Sequence, residues 1–324
     1  MQRLFNEFLE SFRIALTQIR ANKMRSVLTA LGVIIGIVAV TLMGTAIRGI
    51  DSGFQSSLAM LGDDVVYVQK WPWGGLEDWW NYANRPNVKP QDAEALNRII
   101  AHTPNSLLEI AVPVVARGSS IKKDDAKVSN VFTIGTTGDY ARISGAEYKE
   151  GRLFNDTESN AGHEVVVLGY DVAEALFPDG SPLDQKVYVG GHPYMVIGVF
   201  AKQGEFLGLF SFDNQVVVPL KAFQKYFGTR RGAELRVKIT DKTRLAAAKE
   251  ELTGAMRRVR GQLPGERNNF ELNESQAFKA QLDPIKQGIA MAGLFITGLS
   301  LFVGAIGIMN ITFVSVKERT KEIG

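Results

Sequence analysis

Cysteine is absent from the 324-residue sequence, and histidine occurs only three times. The lack of cysteine excludes disulfides, thiolate zinc sites and a cysteine nucleophile. The histidines, His102, His163 and His192, show neither the HExxH spacing nor another metal-ligand spacing. No metal centre is therefore predicted, and a domain outside the cytoplasm must rely on its own hydrophobic core.

A strong excess of one charge and a phosphate-binding loop are also missing. The formal net charge is +3, which is too small to predict nucleic-acid binding. No glycine is followed by lysine, so the GxxxxGK[ST] loop is absent and no cofactor is predicted on this chain.

Candidate catalytic groups are equally scarce. The carboxylate pairs Asp63-Asp64 and Asp124-Asp125 are adjacent in sequence, and neighbouring strand residues point to opposite faces. Because nothing else completes a catalytic site, an extracytoplasmic enzyme is the weakest of the functional hypotheses.

Two uncharged stretches, residues 26–47 and 289–316, lie near the two ends of the chain. Each exceeds the roughly 20 residues that a helix needs to cross a bilayer, so both predict membrane-spanning helices. A signal peptide is the alternative for the first stretch, because Gly44-Thr45-Ala46 resembles a cleavage site. The uncharged part of a signal peptide is shorter, however, at about 7–15 residues.

Small residues recur along both predicted spans. The second span contains Gly293, Gly298, Gly304 and Gly307, and the first contains Gly32 and Gly36. Small residues allow helices to approach closely in lipid, although glycine is also simply common in membrane helices. We predict that Gly304 and Gly307 pack against another helix. Asn310 needs a partner or the interface, because an unpaired amide in hydrocarbon is costly.

Basic residues lie mainly on the terminal sides of the two spans. They are Arg13, Arg20, Lys23 and Arg25 before the first span, and Lys317, Arg319 and Lys321 after the second. By the positive-inside rule, both termini are cytoplasmic and the residues between the spans are outside. Residues 1–25 have an amphipathic pattern that suits either the inner membrane surface or another protein chain.

Between the spans, the patterns predict a strand–helix–strand unit, a β-rich stretch and a second strand–helix unit. The fold class is therefore a membrane protein of α+β type, with two transmembrane helices flanking an extracytoplasmic domain. We divide the chain into a cytoplasmic helix (1–25), a first span (26–47), a domain (48–288) formed by an αβ subdomain (63–117 and 231–275) and a β-rich insertion (118–230), a second span (289–316) and a cytoplasmic end (317–324).

All four tryptophans, Trp71, Trp73, Trp79 and Trp80, occur within ten residues. Clustered aromatic residues in a loop are typical of a partner or substrate surface. They are also typical of a loop that packs on itself, or of one that enters a membrane interface.

Three passages resemble the MacB-like permeases of ABC transporters, a group that includes FtsX-like permeases. The first joins EGRLF at 150–154 and EVVVLGYDVAEALFPDGSPL at 164–183 to QKVYVGGHPYMVIGVF at 185–200. The second is QVVVPL at 215–220, and the third is GAIGIMNITFVSVKERTKEIG at 304–324. The third is the most specific of them.

This resemblance implies a non-catalytic permease subunit in the inner membrane, with a porter-like αβ subdomain and an inserted β-rich subdomain facing the periplasm. It implies a permease homodimer or heterodimer that pairs with a separate ATPase chain, which binds the ATP. ATP-driven movements would reach the periplasm through long helices, a mechanism called mechanotransmission, for efflux or extraction of a substrate. Some family members also use a periplasmic adaptor protein.

The resemblance also assigns the end of the chain to the ATPase. Glu318, Arg319, Lys321 and Glu322 begin the ATPase-facing region of such permeases. The alternative is an ordinary positively charged flank of a membrane helix. Because the family pattern continues beyond Gly324 into two further spans, we expect the chain to be the first half of a permease. The rival hypothesis for the whole chain is a membrane-anchored binding or sensor module without transport activity.

Overall fold

The computed structural model describes residues 10, 12–13, 17, 20, 23–74, 79–206, 210–228 and 232–323. The chain divides into two compact units, one formed by residues 1–52 and 282–324 and the other by residues 53–281. The amphipathic helix predicted over residues 1–25 lies largely outside the described residues.

The helices are α1 (Lys23–Leu61), α2 (Trp79–Ala83), α3 (Pro90–His102), α4 (Ala141–Ser144), α5 (Asp156–Ala161), α6 (Tyr170–Leu176), α7 (Leu220–Phe227), α8 (Leu245–Val259) and α9 (Ser275–Ile323). The strands are β1 (Val65–Gln69), β2 (Leu108–Lys123), β3 (Ala126–Thr136), β4 (Tyr148–Gly151), β5 (Val165–Leu168), β6 (Lys186–Val189), β7 (His192–Phe200), β8 (Glu205–Phe206), β9 (Phe210–Ser211), β10 (Gln215–Pro219), β11 (Glu234–Ile239) and β12 (Glu271–Asn273).

Within the described ranges, two helices are long and apolar enough to cross a membrane. The segments concerned are Ala30–Gln55 in α1 and Asp283–Met309 in α9. Both segments overlap the stretches predicted from the sequence. Each is shifted along the chain towards the domain that lies between them. Two transmembrane helices therefore flank a mixed α/β domain.

Ten strands of the domain belong to one sheet, in which six strands close on themselves. The order is β12-β1-β11-β2-β3-β10-β5-β7-β4, and β6 pairs with both β2 and β7. The pairings β2-β3-β10-β5-β7-β6 thus return to β2 and form a closed barrel. Residues 121 and 122 of β2 pair with β6, which is the contact that closes the barrel.

The strand β2 belongs to both parts of the domain. Its residues up to Val114 pair with β11, and its residues from Val115 onwards pair with β3. The boundary predicted between residues 117 and 118 therefore falls inside a continuous strand. The subdomain limits stay a prediction, while the strand itself shows how the αβ part and the barrel are joined.

Three hydrophobic cores stabilise the domain. Helices α3 and α8 cover one face of the β1, β2 and β11 strands, with Leu96 and Leu252 fully buried. The barrel interior contains Val131, Val187 and Val216, and α6 and α7 add their apolar faces to it. The third core lies on the opposite face of both strand groups and includes tyrosines 67 and 140.

Local patterns predicted most of these elements. Pro90 begins α3 as expected, because proline suits the first turn of a helix, where its missing N–H is not needed. The helix α7 was not predicted. It has only eight residues and follows the buried strand β10 directly, so its helical periodicity covers barely two turns.

A capping box at the start of α5 makes one acidic group sensitive to pH. The side chain of Asn155 accepts the Glu158 N–H at 2.9 Å, and Glu158 accepts the Asn155 N–H at 2.8 Å. Arg152 donates two hydrogen bonds to the same carboxylate at 2.7 and 2.8 Å. The Arg152 guanidinium is the main cause that lowers the pKa of Glu158 to about 2.

We expect this carboxylate to contribute to stability above about pH 5 and to lose that contribution as the pH falls towards 2. The sign follows because the folded-state pKa lies below the ordinary value of 4.5, so the folded state binds the proton more weakly than the unfolded state. Glu158→Gln should destabilise the domain by about 1 kcal/mol at pH 7. Chemical denaturation at pH 7, 4 and 3 would measure this, and an equal loss at all three values would contradict the assignment.

Candidate functional site

A seam of small residues joins the two spanning helices. A Cβ atom added to Gly32 of α1 would lie 3.4 Å from the backbone nitrogen of Gly304 in α9, and one added to Gly36 would lie 3.3 Å from the Cβ of Ser300. One added to Gly293 would come within 2.8 Å of the Met43 side chain. Such distances require that the two backbones be close, which small residues permit.

These contacts define one antiparallel register. As α1 advances four residues from Gly32 to Gly36, α9 moves back four residues from Gly304 to Ser300. The next contact, Met43 with Gly293, lies seven residues further along both helices. Because three separate contacts fit a single register, the seam is a continuous interface and not one local touch.

An ion pair lies at the domain-side end of the same seam. The ammonium of Lys286 contacts the carboxylate of Asp51, and it lies 3.9 Å from Asp283. The Lys286 side chain is only 18% exposed. From Gly32 to Asp51 the seam runs for roughly 28 Å of helix at 1.5 Å per residue, which is close to the thickness of a bilayer core.

The glycines of the second span differ in how closely they approach other residues. Gly304 is buried against Val33, whose Cγ2 lies 3.4 Å from the position of an added Cβ. Gly307 is half-buried, whereas an added Cβ on Gly298 would meet no atom within 4 Å. Asn310 belongs to α9, and its side chain lies outside the described residues. The roles of Gly304, Gly307 and Asn310 stay predictions.

The four tryptophans divide into an anchored part and an exposed part. Trp73 packs on Tyr67 with 4.7 Å between ring centroids. Its indole N–H donates to Gln69 at 3.1 Å, and its backbone N–H donates to Asn273 at 2.9 Å. Asn273 in turn donates to the Trp71 carbonyl at 2.8 Å. The beginning of the segment is thus fixed to β1 and to the edge strand β12.

The remaining indoles are open to solvent. Trp79 and Trp80 are 45% and 66% exposed, and their rings lie 3.9 Å apart. Trp71, which is 38% exposed, lies 6.2 Å from the ring of Tyr82. Trp73 packs on Tyr67, and Trp79 and Trp80 pack on each other. A partner or substrate role for the exposed rings stays a prediction.

A cleft of about 250 Å³ opens beside Trp71, between the αβ part and the barrel. Its apolar lining includes Val88, Val114 and Ile134, and its polar lining includes Gln69 and Asn87. Lys70, Glu234 and Arg236 also line the cleft, so its wall combines apolar side chains with charged ones.

A charged network lines the same cleft. Arg236 donates to Glu234 at 2.7 Å and to the Tyr140 hydroxyl at 3.3 Å. Its guanidinium lies 5.4 Å from the ring of Tyr67 and 5.6 Å from that of Tyr140. The second carboxylate oxygen of Glu234 accepts a hydrogen bond from Gln69.

Burial and neighbouring groups together set the pKa values of this network. Burial alone would lower the pKa of Arg236, but Tyr140 and Glu234 outweigh it and raise that pKa further above its usual value. Burial raises the pKa of Tyr67 as well. Arg236 therefore stays charged and Tyr67 stays neutral at physiological pH. Sequence reasoning missed this cluster, because Tyr67, Tyr140 and Arg236 are far apart along the chain.

The predicted ATPase-coupling residues lie in the last turns of α9. Glu318, Arg319, Lys321 and Glu322 belong to that helix, and their side chains lie outside the described residues. Asp63, one of the paired carboxylates, contacts Lys242 at 3.0 Å. Within the described ranges, no three histidine, aspartate or glutamate side chains converge on a possible metal position.

The chain is similar to known permeases over almost its whole length. The family description "MacB-like periplasmic core domain" matches residues 26–255. An uncharacterized ABC transporter permease of Bacillus subtilis, YvrN, is 28% identical over 98% of this chain and 78% of its own length. The macrolide export ATP-binding/permease protein MacB of Aggregatibacter actinomycetemcomitans is 28% identical over 98% of this chain, which spans only 47% of that relative.

A solved structure agrees with the fold of the domain. The periplasmic region of MacB from Actinobacillus actinomycetemcomitans matches 70% of this chain and 95% of its own, at 20% identity and a TM-score of 0.55. The αβ part with its attached barrel is therefore the architecture of such a periplasmic region. On the family match, the two spanning helices and this fold, the chain belongs to the MacB-like family of ABC transporter permeases.

Proposed function

We propose that this chain is the permease subunit of a MacB-like ABC transporter, and that it passes ATP-driven movements from the cytoplasm to the periplasmic domain for export or extraction of a substrate. The observation that carries the proposal is the pair of helices that form the seam. Each of the helices α1 and α9 extends beyond its candidate membrane-spanning segment at both ends. A helix transmits displacement along its axis better than a loop does.

We propose that this subunit moves in response to ATP hydrolysis and does not itself hydrolyse ATP. The sequence has no phosphate-binding loop, and we propose that an ABC ATPase on a separate chain binds the nucleotide. We place both termini in the cytoplasm and the domain outside, in the orientation that the basic flanks favour. A permease homodimer or heterodimer and a periplasmic adaptor protein complete the proposed assembly.

The test is co-purification of the full chain with a candidate ABC ATPase. The variant Glu318→Lys/Arg319→Glu/Lys321→Glu should reduce the recovered ATPase at least ten-fold, because it reverses the charges that the ATPase would contact. The matched control, Glu94→Lys/Arg98→Glu/Arg258→Glu, reverses the same kinds of charge on exposed helical positions of the domain and should leave recovery unchanged.

Orientation is checked in the same cells. The chain has no cysteine, so Trp71→Cys introduces a single thiol that an impermeant maleimide should label from outside in every variant. Undiminished ATPase recovery in the triple variant, with this labelling intact, would refute the assigned coupling residues.

The cleft beside Trp71 favours a second candidate, a membrane-anchored binding module. In that case the wild-type chain would retain no ATPase, while ligands would still quench the fluorescence of Trp71. The co-purification experiment separates the two functions, because only the permease requires an associated ATPase.

A further inference from the structure

One outer surface of the barrel carries lysines where neighbouring strands pair. We name it the lysine face and define it by Lys122, Lys127, Lys186, Tyr188 and Met195. Lys122 of β2 lies directly opposite Lys127 of β3 and, on its other side, opposite Tyr188 of β6. Lys186 lies opposite Met195 of β7. Directly paired residues point to the same face, so the five side chains form one patch.

The positive charges of this patch are not compensated. Within the described part of the chain, none of the three lysines makes an ion pair, even with Asp124 and Asp125 in the adjoining hairpin turn. By contrast, Lys149 and Lys225 of the same domain both pair with glutamates. Like charges directly opposite each other across two strands are destabilising. The lysine face therefore destabilises the folded chain, and an acidic partner bound to it would reduce the repulsion between the lysines.

Two large apolar side chains lie among the lysines. Tyr188 and Met195 are each 42% exposed, and the Lys186 ammonium lies 5.6 Å from the Tyr188 ring. Tyrosine and methionine are enriched in protein–protein interfaces. Their combination with unpaired lysines fits an acidic protein surface with apolar groups better than it fits a purely ionic ligand.

The patch is also preorganised. The residues that alternate with it, Ile121, Val187 and Val189, are fully buried in the barrel interior. Because the strands close on themselves, the backbone beneath the patch has paired neighbours on both sides of β6. A surface that does not have to be ordered on binding loses less entropy when a partner docks.

We propose that the lysine face docks the acidic surface of a separate folded protein outside the cytoplasm. The charges steer the approach of the partner, and Tyr188 and Met195 supply the buried centre of the contact. The inference is independent of transport, and it uses the proposed orientation only to name the compartment.

The test places the photocrosslinker p-benzoylphenylalanine at position 188 of the full chain in its native membrane. After irradiation, mass spectrometry identifies the adducts. We expect one protein adduct that decreases at least ten-fold in Lys122→Glu/Lys186→Glu and at least five-fold in 0.5 M NaCl. The matched control, Arg98→Glu/Arg258→Glu, carries the same charge change on exposed positions of α3 and α8 and should retain the adduct.

The remaining outcomes overturn the proposal. They are the absence of a protein adduct, an adduct that is insensitive to the lysine reversals, a phospholipid adduct and an adduct with a second copy of this chain. Capture alone is not sufficient, so the identified protein is then purified, and its affinity for the full chain should decrease at least ten-fold in Lys122→Glu/Lys186→Glu. Outside labelling of Trp71→Cys shows separately whether the proposed orientation holds.

Discussion

The double variant Gly36→Cys/Ser300→Cys should form an intramolecular disulfide almost completely under mild oxidation. The position of an added Cβ on Gly36 lies 3.3 Å from the Cβ of Ser300, and a disulfide needs about 3.5–4.5 Å between these atoms. The small outward adjustment is within reach of two helices packed through small residues. No native cysteine competes in this chain, so counting unreacted thiols with a maleimide-polyethylene glycol on a denaturing gel measures the result.

The control pair is Ile37→Cys/Leu299→Cys. Ile37 and Leu299 are 61% and 56% exposed, so their side chains point away from the seam, and less than a tenth of this variant should oxidise. Adding Gly304→Leu to the first pair should reduce its oxidation several-fold, because the larger side chain would press against Val33. Equal oxidation of the two pairs, or a dimer-sized product from the first pair, would contradict the register.

This experiment also bears on how the chain works. If the proposed permease role holds and α1 and α9 move as one body, the disulfide should leave ATP-driven activity unchanged. If they slide past each other, it should abolish activity, because the bond fixes the register that Gly32, Gly36 and Gly304 define.

The second large effect concerns Arg236. We expect Arg236→Met to destabilise the domain by about 3–5 kcal/mol, because removing one partner leaves a partly buried charge uncompensated. Glu234, whose side chain is 20% exposed, would retain only Gln69, and the Tyr140 hydroxyl would lose its donor. Equilibrium denaturation of the full chain in detergent, followed by tryptophan fluorescence, measures the loss.

Two further variants show whether charge is the cause. Glu234→Gln/Arg236→Met should be less destabilised than Arg236→Met alone, since the double change removes both charges. Arg142→Met removes an arginine that is 50% exposed and paired with Glu109 at 2.8 Å, and it should cost no more than about 1 kcal/mol. If Arg236→Met lowers the free energy of unfolding no more than Arg142→Met does, the network of Arg236 and Glu234 does not stabilise the domain.

Local sequence patterns predicted best those helices and strands that a single run of residues identifies. Uncharged stretches predicted both spanning helices, since crossing a bilayer constrains every residue of the segment. Apolar β-rich runs predicted β5, β6 and β7, and Pro90 predicted the start of α3. The αβ subdomain, by contrast, was predicted to end at residue 117, within β2. The strand nevertheless continues to Lys123, where Ile121 is buried in the barrel.

The sequence by itself determined that this protein has two membrane helices and an αβ domain with a β-rich insertion. It also determined that the protein belongs to the family of ABC permeases. Only the tertiary structure decided that β6 closes a barrel against β2, that Gly36 meets Ser300, and that lysines from three strands share one face. The physical reason is the separation along the chain between the residues that interact. Hydrophobic period and charge act within a few residues, whereas strand partners and helix registers depend on which distant faces bury each other.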